Sequence, residues 1–417
     1  MKILRGIASV VLYLMLGGIY IVSLFTENKK IFYGVTILIL FNLIHSIIRN
    51  WRKLRKNKDK KVLRIGIITI NCISLILSAM WIYTVNNIDE FYKIINEEYY
   101  ASFENDKYNS EFVESKHGIY KIIHRENIES ALPMINKILD EIELKSKNIF
   151  GSVKEPVTIK FDYDNDIFKS RIDNGNQLAD GYYAPGSNTV YMYAEDAFEI
   201  LFKDSFYRGT LSHEIAHHYY YKYIKDNNIS DEKIPLWFSE GIAEYMSSDE
   251  VCNNNYNFKF TQFTNIDEYD EWNSIESGMH YVQSLYTINK LGDIKGKEII
   301  KNILVNTKED GFSNSFEKAV GISLNDFEKE IKKDIESSKG DCNTVHENGF
   351  EEYFDIKIEG FENYIKKYPN DIEAYTILSN FYSNYGRKEE AIKLLEEGIR
   401  LNPNNEQLKH LLKLQLE

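Results

Sequence analysis

The chain has 417 residues, a formal net charge of −13 and only three cysteines. Its length predicts more than one domain, and so few cysteines exclude the disulfide framework of a small secreted protein. Residues 1–85 hold thirteen basic and two acidic residues, a net charge of +11, which leaves −24 for the remainder. Because a strongly acidic surface repels a phosphate backbone, nucleic acid is excluded as an expected partner, whereas basic peptides are compatible with this charge.

Three apolar stretches, at about 6–25, 31–48 and 63–85, open the chain. A helix needs roughly 20 apolar residues to cross a bilayer, so we expect three transmembrane helices that form a membrane anchor over residues 1–85. The alternative for the first stretch is a cleaved signal peptide, but its apolar run is long and no clear A-x-A cleavage site follows. An anchor is the favoured interpretation.

The loop between the second and third stretches, residues 49–61, holds eight basic residues and one acidic residue. By the positive-inside rule this loop is cytoplasmic, which places everything after Val85 outside the cytoplasm. We therefore expect a multi-pass protein of the plasma membrane whose larger domain is extracytoplasmic.

The patterning beyond residue 85 predicts both helices and strands. Four segments are expected: a helix with a linker at 86–117, a helix from Tyr120 to about Phe150, and half-buried strands at 157–163 and 189–193. Turn-forming residues at 180–188 precede the second strand.

The motif His213-Glu214-Ile215-Ala216-His217 indicates a metal site. Two histidines four residues apart project from one face of a helix and can reach a single zinc ion at about 2.0–2.1 Å, with Glu214 beside them. A chain with nine histidines can match this pattern by chance, so a pair of solvated amphipathic helices is the alternative.

A second segment strengthens the zinc interpretation. Glu240 and Glu244 are four residues apart in a run that reads as a helix, and Trp237, Phe238 and Ile242 give it an apolar face. Two packed helices can present two histidines and one carboxylate to one point and leave a fourth position for water.

Residues from about 110 to 335 resemble the gluzincin zinc metallopeptidases, the superfamily of thermolysin and the aminopeptidase N-type enzymes, and most closely their peptidase MA-like branch. The resemblance is carried by the HExxH motif and by four residues that match an E-G-x-A-x-Y pattern, namely Glu240, Gly241, Ala243 and Tyr245. It implies a bound zinc ion and hydrolysis of peptide bonds.

The same resemblance assigns roles to individual residues. One Zn²⁺ ion per chain is expected on His213, His217 and Glu240, with Glu214 as the general base that takes a proton from water. Glu244 holds the position of a carboxylate that orients one of the zinc-bound histidines.

An oxyanion donor is also expected, because the carbonyl oxygen gains negative charge as a peptide bond is attacked. The resemblance points to a tyrosine that opens a helix downstream of the third ligand, and Tyr281 in Tyr281-Val282-Gln283-Ser284 fits it. His280 is the competitor, since an imidazolium can play the same role. In the third interpretation both are ordinary residues at a helix start.

A substrate cleft is expected beside the strand at 189–193. In the gluzincins a strand in this order forms the sheet edge along which an extended substrate binds, so residues 181–193, with Ala184 and Tyr191, are candidates for substrate contact. A plain sheet edge is the alternative. His218 and the tyrosines at 219, 220, 221 and 223 are interpreted as structural.

Residues 345–417 form a different kind of unit. Pro369 and Pro403 are 34 residues apart, and the segment between them resembles a tetratricopeptide repeat (TPR), preceded by half a repeat and followed by a capping helix from about 404. So short an array is expected to pack on the peptidase domain or on a partner. It is either a site for a protein partner or a helical cap.

The expected fold is therefore α+β: three transmembrane helices, a gluzincin-type metallopeptidase domain at 118–338 with a small mixed sheet and a helical subdomain, and an α-helical TPR-like C-terminus. The expected function is a membrane-anchored, extracytoplasmic zinc peptidase acting on a peptide or protein substrate. The alternative is a non-catalytic membrane scaffold or sensor with a structural zinc site. Cys252 and Cys342 are expected to be unpaired.

Overall fold

The computed structural model describes residues 43–52, 65, 67–72, 74, 110–171, 181–248, 259–267, 272, 275, 278–337 and 350–417. Contacts within the chain divide it into two units, Met1–Asn96 and Glu97–Glu417. Cys252 and Cys342 lie outside the described residues, so their expected free state stays a prediction.

The structure contradicts the expectation of three transmembrane helices. None of the helices in the described ranges is long and apolar enough to cross a membrane. The predicted span 6–25 lies outside the described residues, as do most of 31–48 and 63–85. The multi-pass plasma-membrane localisation and the extracytoplasmic placement rested on these helices and are withdrawn with them.

The second unit contains a mixed sheet of five strands. They are β1 (Phe112–His117), β2 (Tyr120–Arg125), β3 (Val157–Asp162), β4 (Gly181–Ala184) and β5 (Thr189–Tyr193). Their order in the sheet is β1-β2-β3-β5-β4. β2, β3 and β5 are parallel neighbours, while β1 and β4 run antiparallel at the two edges. The strands expected at 157–163 and 189–193 are confirmed as β3 and β5.

The segment from Tyr120 to Arg125 is a strand, not the first turns of the expected helix. Its residues alternate between buried and half-buried, with Tyr120, Ile122 and His124 facing the core. A hairpin through Gly118, whose φ is +55°, pairs this strand with β1. The sheet therefore starts within the segment that was expected to be a helix and linker, and the helix begins only at Leu132.

The edge strand on this side of the sheet is β4, whereas the strand at 189–193, β5, was expected to form that edge. β5 lies between β3 and β4, so its backbone is paired on both sides and Tyr191 sits on an inner strand. Gly181–Ala184, expected to form a turn, supplies the edge strand. Its two tyrosines favour a strand, and pairing with β5 makes these four residues one although turn-forming residues flank them.

Helices make up most of the other described residues of the second unit. In chain order they are α1 (Leu132–Phe150), α2 (Asn165–Arg171), α3 (Ala197–Phe202), α4 (Asp204–Asp226), α5 (Leu236–Ser247), α6 (Met279–Lys295), α7 (Glu298–Asp310), α8 (Phe312–Val320), α9 (Leu324–Ser337), α10 (Phe350–Lys367), α11 (Ile372–Asn384), α12 (Lys388–Leu401) and α13 (Glu406–Leu416). Apolar side chains of the sheet and of these helices join in a continuous core.

Helices α5 and α6 cross closely at a glycine. A Cβ atom on Gly241 would lie 2.8 Å from the carbonyl oxygen of Ser284 and 2.8 Å from Cγ1 of Ile288. Such distances are shorter than any van der Waals contact, so only glycine permits this crossing. The crossing fixes the start of α6 relative to the acidic residues of α5.

The first C-terminal helix, α10, packs on the part of the second unit that contains the sheet. At Gly360 of α10, a Cβ would lie 2.9 Å from the carbonyl oxygen of Ser130 and 2.7 Å from a methyl group of Leu201. Lys357 Nζ donates to Asp204 Oδ1 at 2.6 Å, and both side chains are largely buried. Because Asp204 is the first residue of α4, the C-terminal helices are joined directly to the helix of the HExxH motif.

Candidate metal centre

Helices α4 and α5 place three metal-binding side chains at one point. His213 and His217 lie one helical turn apart on α4, and Glu240 lies on α5, which packs against it. The three side chains are only 11–12% exposed. Two imidazoles and a carboxylate in a nearly dry space match the donor set of a catalytic zinc site.

The donor atoms have the spacing that a tetrahedral ion requires. His213 Nε2 lies 3.1 Å from His217 Nε2 and 3.2 Å from Glu240 Oε2, and His217 Nε2 lies 3.5 Å from the same oxygen. Three donors bound tetrahedrally at about 2.0–2.1 Å stand about 3.3 Å from one another. The residues therefore fit a zinc ion without any rearrangement of the two helices.

The ring of His213 lies between two carboxylates of α5. Glu240 approaches Nε2, and Glu244 Oε1 lies 3.0 Å from Nδ1. Burial alone lowers the pKa of His213, but Glu240 and Glu244 outweigh it, so this pKa lies well above its usual value. For Glu240, burial favours the neutral form, yet His217 and His213 outweigh it and lower the pKa of this carboxyl below its usual range. Glu240 is thus an anion ready to bind a cation.

Glu214 lies beside the cluster and outside the set of three ligands. Burial raises the pKa of its carboxyl, and the neighbouring charges of His213 and His217 oppose that shift. The backbone N–H of Tyr183 in β4 donates to this carboxylate. Gly181 permits the approach of β4, because a Cβ there would lie 3.1 Å from Cγ of Glu214 and 2.6 Å from Cγ2 of Thr210. A buried carboxylate with a raised pKa has the properties of a general base.

Tyr281 and His280 both lie in the first turn of α6, but the surroundings of their side chains differ. The ring centroid of Tyr281 lies 6.0 Å from that of His213. Burial raises the pKa of Tyr281, and Glu240, Glu214 and Glu244 add to that shift, so its hydroxyl lies in the field of all three carboxylates. Burial lowers the pKa of His280 to about 4, so this imidazole is neutral and lacks the charge that the competing role requires.

Sequence reasoning missed Trp272, which contacts both of these residues. Its ring lies 4.8 Å from Tyr281 and 4.2 Å from His280, centroid to centroid, and both contacts are edge-on. No local pattern could have revealed it, because a lone tryptophan nine residues before Tyr281 has no motif spacing.

His218 and two of the tyrosines that follow the motif make contacts that join parts of the fold. Nδ1 of His218 lies 2.7 Å from Oδ1 of Asn188 in the turn between β4 and β5. The hydroxyls of Tyr220 and Tyr221 each lie 3.1 Å from an oxygen of Asp231. These contacts tie α4 to the sheet and to the loop that leads into α5.

The two substrate candidates differ in position. Ala184 is a half-buried residue of the edge strand β4. Tyr191 is 9% exposed on the inner strand β5, and its ring lies 4.9 Å from the guanidinium of Arg171, which pairs with buried Asp162. The backbone of Tyr191 is therefore occupied within the sheet.

The chain is similar in sequence to a bacterial protein whose name assigns it no role. Over 229 residues it is 26% identical to the "Uncharacterized protein YhcO" of Bacillus subtilis (strain 168), a match that covers 52% of this chain and 70% of that protein. No family model matches the sequence.

Proposed function

We propose that the protein is a zinc-dependent peptidase. The observation that carries this proposal is the spacing of three donor atoms, 3.1 to 3.5 Å apart, with the separate carboxylate of Glu214 buried beside them. Peptides or unfolded protein segments are the proposed substrates.

The count of ligands favours catalysis over a purely structural site. Structural zinc sites almost always have four protein ligands, whereas catalytic sites have three and keep one open position. Among the described residues, the converging group consists of His213, His217 and Glu240. Glu214 has no use in a structural site, which weighs against the scaffold or sensor as an alternative.

Each side chain has a distinct part in the proposed reaction. A zinc ion with these three ligands supplies an open position where the pKa of a water falls to about 7. Glu214, with its raised pKa, accepts the proton of the attacking water and delivers it to the leaving amine. The hydroxyl of Tyr281 donates a hydrogen bond to the carbonyl oxygen as that oxygen gains negative charge.

The substrate is proposed to lie along β4. This strand is an edge of the sheet, and it passes beside Glu214 at Gly181. An extended peptide that pairs with an edge strand is held by main-chain hydrogen bonds, which places its peptide bonds in a fixed register. Ala184 then contacts the substrate through a small side chain.

The test compares the full-length wild-type protein with Glu214→Gln and with Glu298→Gln, an exposed glutamate of α7. Hydrolysis of a mixture of internally quenched peptides and the zinc content per chain are both measured. Wild type and Glu298→Gln should cleave peptides, and all three proteins should hold one zinc ion. Glu214→Gln should lose hydrolysis by a factor of at least about 100. Equal hydrolysis by Glu214→Gln would overturn the proposed function.

A further inference from the structure

Asn188 joins three parts of the fold through one side chain. It is the last residue of the turn between β4 and β5, where its φ is +53°. Its Nδ2 donates to the carbonyl oxygen of Pro156, which lies just before β3, at 2.5 Å. A carbonyl oxygen accepts and never donates, so this bond fixes which end of the amide is the nitrogen. The oxygen, Oδ1, must then face the other way.

On that other side Oδ1 has two donors. Nδ1 of His218 lies 2.7 Å from it, and the hydroxyl of Tyr183 donates to it at 2.8 Å. Because Oδ1 carries no hydrogen, Nδ1 must be the protonated atom in its contact. His218 is 1% exposed and Tyr183 is 6% exposed, so both bonds are shielded from water. Asn188 therefore links the edge strand β4 to α4, and it links both of them to the start of β3.

These bonds lie where they set the register of β4 along α4. Gly181 lies against Glu214, since a Cβ there would be 3.1 Å from Cγ of the glutamate. Two residues further along β4, the ring of Tyr183 lies 6.0 Å from that of His218, centroid to centroid. Glu214 and His218 are four residues apart and so lie on one face of the helix. Two strand residues rise about 6.6 Å and four helical residues about 6 Å, so β4 and α4 match at both points.

We propose that Asn188 and His218 form a latch that holds β4 in register with Glu214, and that a peptide substrate depends on this register to bind. The inference rests on the proposed peptidase function. A peptide that pairs with β4 takes its position from that strand. If β4 can shift, only a fraction of the molecules offers the productive register, and the apparent affinity falls by that fraction. Both residues are positioning residues, because they act on the substrate through β4.

Asn188→Gly is the variant that opens the latch. Glycine adopts a positive φ without strain, so the turn can keep its backbone conformation while its three side-chain bonds are lost. In the full-length protein, KM for the quenched peptides should rise about five- to tenfold, with kcat within twofold because Glu214 and the metal ligands are unchanged. The protein should still hold one zinc ion per chain. A fall in kcat at constant KM, or no change in either, would overturn the inference.

Asn228→Gly is the matched control. Asn228 also has a φ of +53°, but it is exposed and lies in the turn that follows α4. The substitution thus makes the same change to the backbone preference at a place remote from the latch. Its KM and kcat should both stay within twofold of wild type. An equal rise of KM in the two variants would overturn the inference, because the effect would then not depend on the latch.

Hydrogen exchange tests the latch without any measurement of activity. Mass spectrometry of the full-length protein should show the amides of residues 181–184 exchanging about tenfold faster in Asn188→Gly than in Asn228→Gly or wild type. Tyr183→Phe, which deletes one oxygen and leaves the strand intact, should give a smaller increase and provides the test if Asn188→Gly does not fold. Equal exchange at 181–184 in every protein would overturn the latch, whether or not the wild type hydrolyses peptides. A wild type that hydrolyses no peptide while 181–184 exchange as expected would contradict the proposed function and leave the latch in place.

Discussion

Glu244 Oε1 lies 3.0 Å from Nδ1 of His213, while Glu240, one turn earlier on the same helix, approaches Nε2 of the same ring. A carboxylate at this distance favours a proton on Nδ1, which leaves the lone pair of Nε2 free for a metal. His217 differs, because the carboxylate paired with it among the described residues is Glu240, which approaches Nε2 at 3.5 Å. The two histidine ligands are therefore not equivalent.

This asymmetry predicts the effect of Glu244→Gln. The change should weaken zinc binding about 10- to 100-fold, since partners that orient a ligating imidazole contribute on that scale. Competition with a zinc chelator at fixed pH measures the affinity. Glu298→Gln, which changes the same charge on the exposed side of α7, should bind zinc as wild type does. Identical affinities for the two variants would show that Glu244 does not orient His213.

Gly241→Ala should destabilise the fold through the crossing of α5 and α6. The new methyl group would lie 2.8 Å from both the Ser284 carbonyl oxygen and Ile288, and overpacking of this kind costs about 1–3 kcal/mol. The matched control is Gly292→Ala in α6, where a Cβ meets nothing within 4 Å. Its higher helix propensity should stabilise the protein by about 0.5–1 kcal/mol. Urea denaturation measures both, and a loss of stability in the control alone would contradict the account.

Lys357→Met should loosen the C-terminal helices. Nζ of Lys357 bonds to Asp204 Oδ1 at 2.6 Å, with the lysine side chain 6% exposed, and its removal leaves a largely buried carboxylate without its cation. Breaking such a pair costs about 3 kcal/mol. Lys409→Met breaks an exposed pair with Glu406 and should cost less than about 0.5 kcal/mol. Equal free energies of unfolding for the two variants would mean that the pair with Asp204 contributes nothing to docking.

Stability should fall as the pH is lowered below about 6.5, in part through His124. Burial lowers the pKa of this fully buried imidazole, whose Nε2 lies 2.8 Å from Ser115 Oγ. The unfolded chain therefore binds a proton that the folded protein resists, and stability rises with pH across that window. Unfolding by urea at pH 7.5 and pH 5, with a chelator present, should show a smaller pH effect in His124→Gln. An equal pH effect in both proteins would remove His124 from the explanation.

Local patterns predicted β3, β5 and the two helices of the metal site well. Alternation of apolar residues at 157–163 and the four-residue spacing of His213 and His217 are local signals that tertiary contacts did not override. The two histidines could be paired because the pitch of one helix sets their spacing, whereas the third candidate ligand, Glu240, lies on the next helix, α5.

Other elements depend on contacts that are distant in sequence. Residues 120–125 fit a helical pattern until β1 is available to pair with them, and 181–184 form a strand only because β5 presents an edge. Apolar length alone also predicted three transmembrane helices, and no described helix has the length and apolar character that this required. Trp272 lies beside Tyr281 only after the segment between α5 and α6 has folded.

The central claim is most directly tested by adding zinc to the full-length protein after a chelator has removed its metal. Peptide hydrolysis should be absent at first, rise in proportion to added zinc and level off at one equivalent per chain. Glu240→Ala, which lacks one of the three donors, should need far more zinc and recover little activity. Hydrolysis without zinc, or a Glu240→Ala curve that matches wild type, would contradict the assignment of this site.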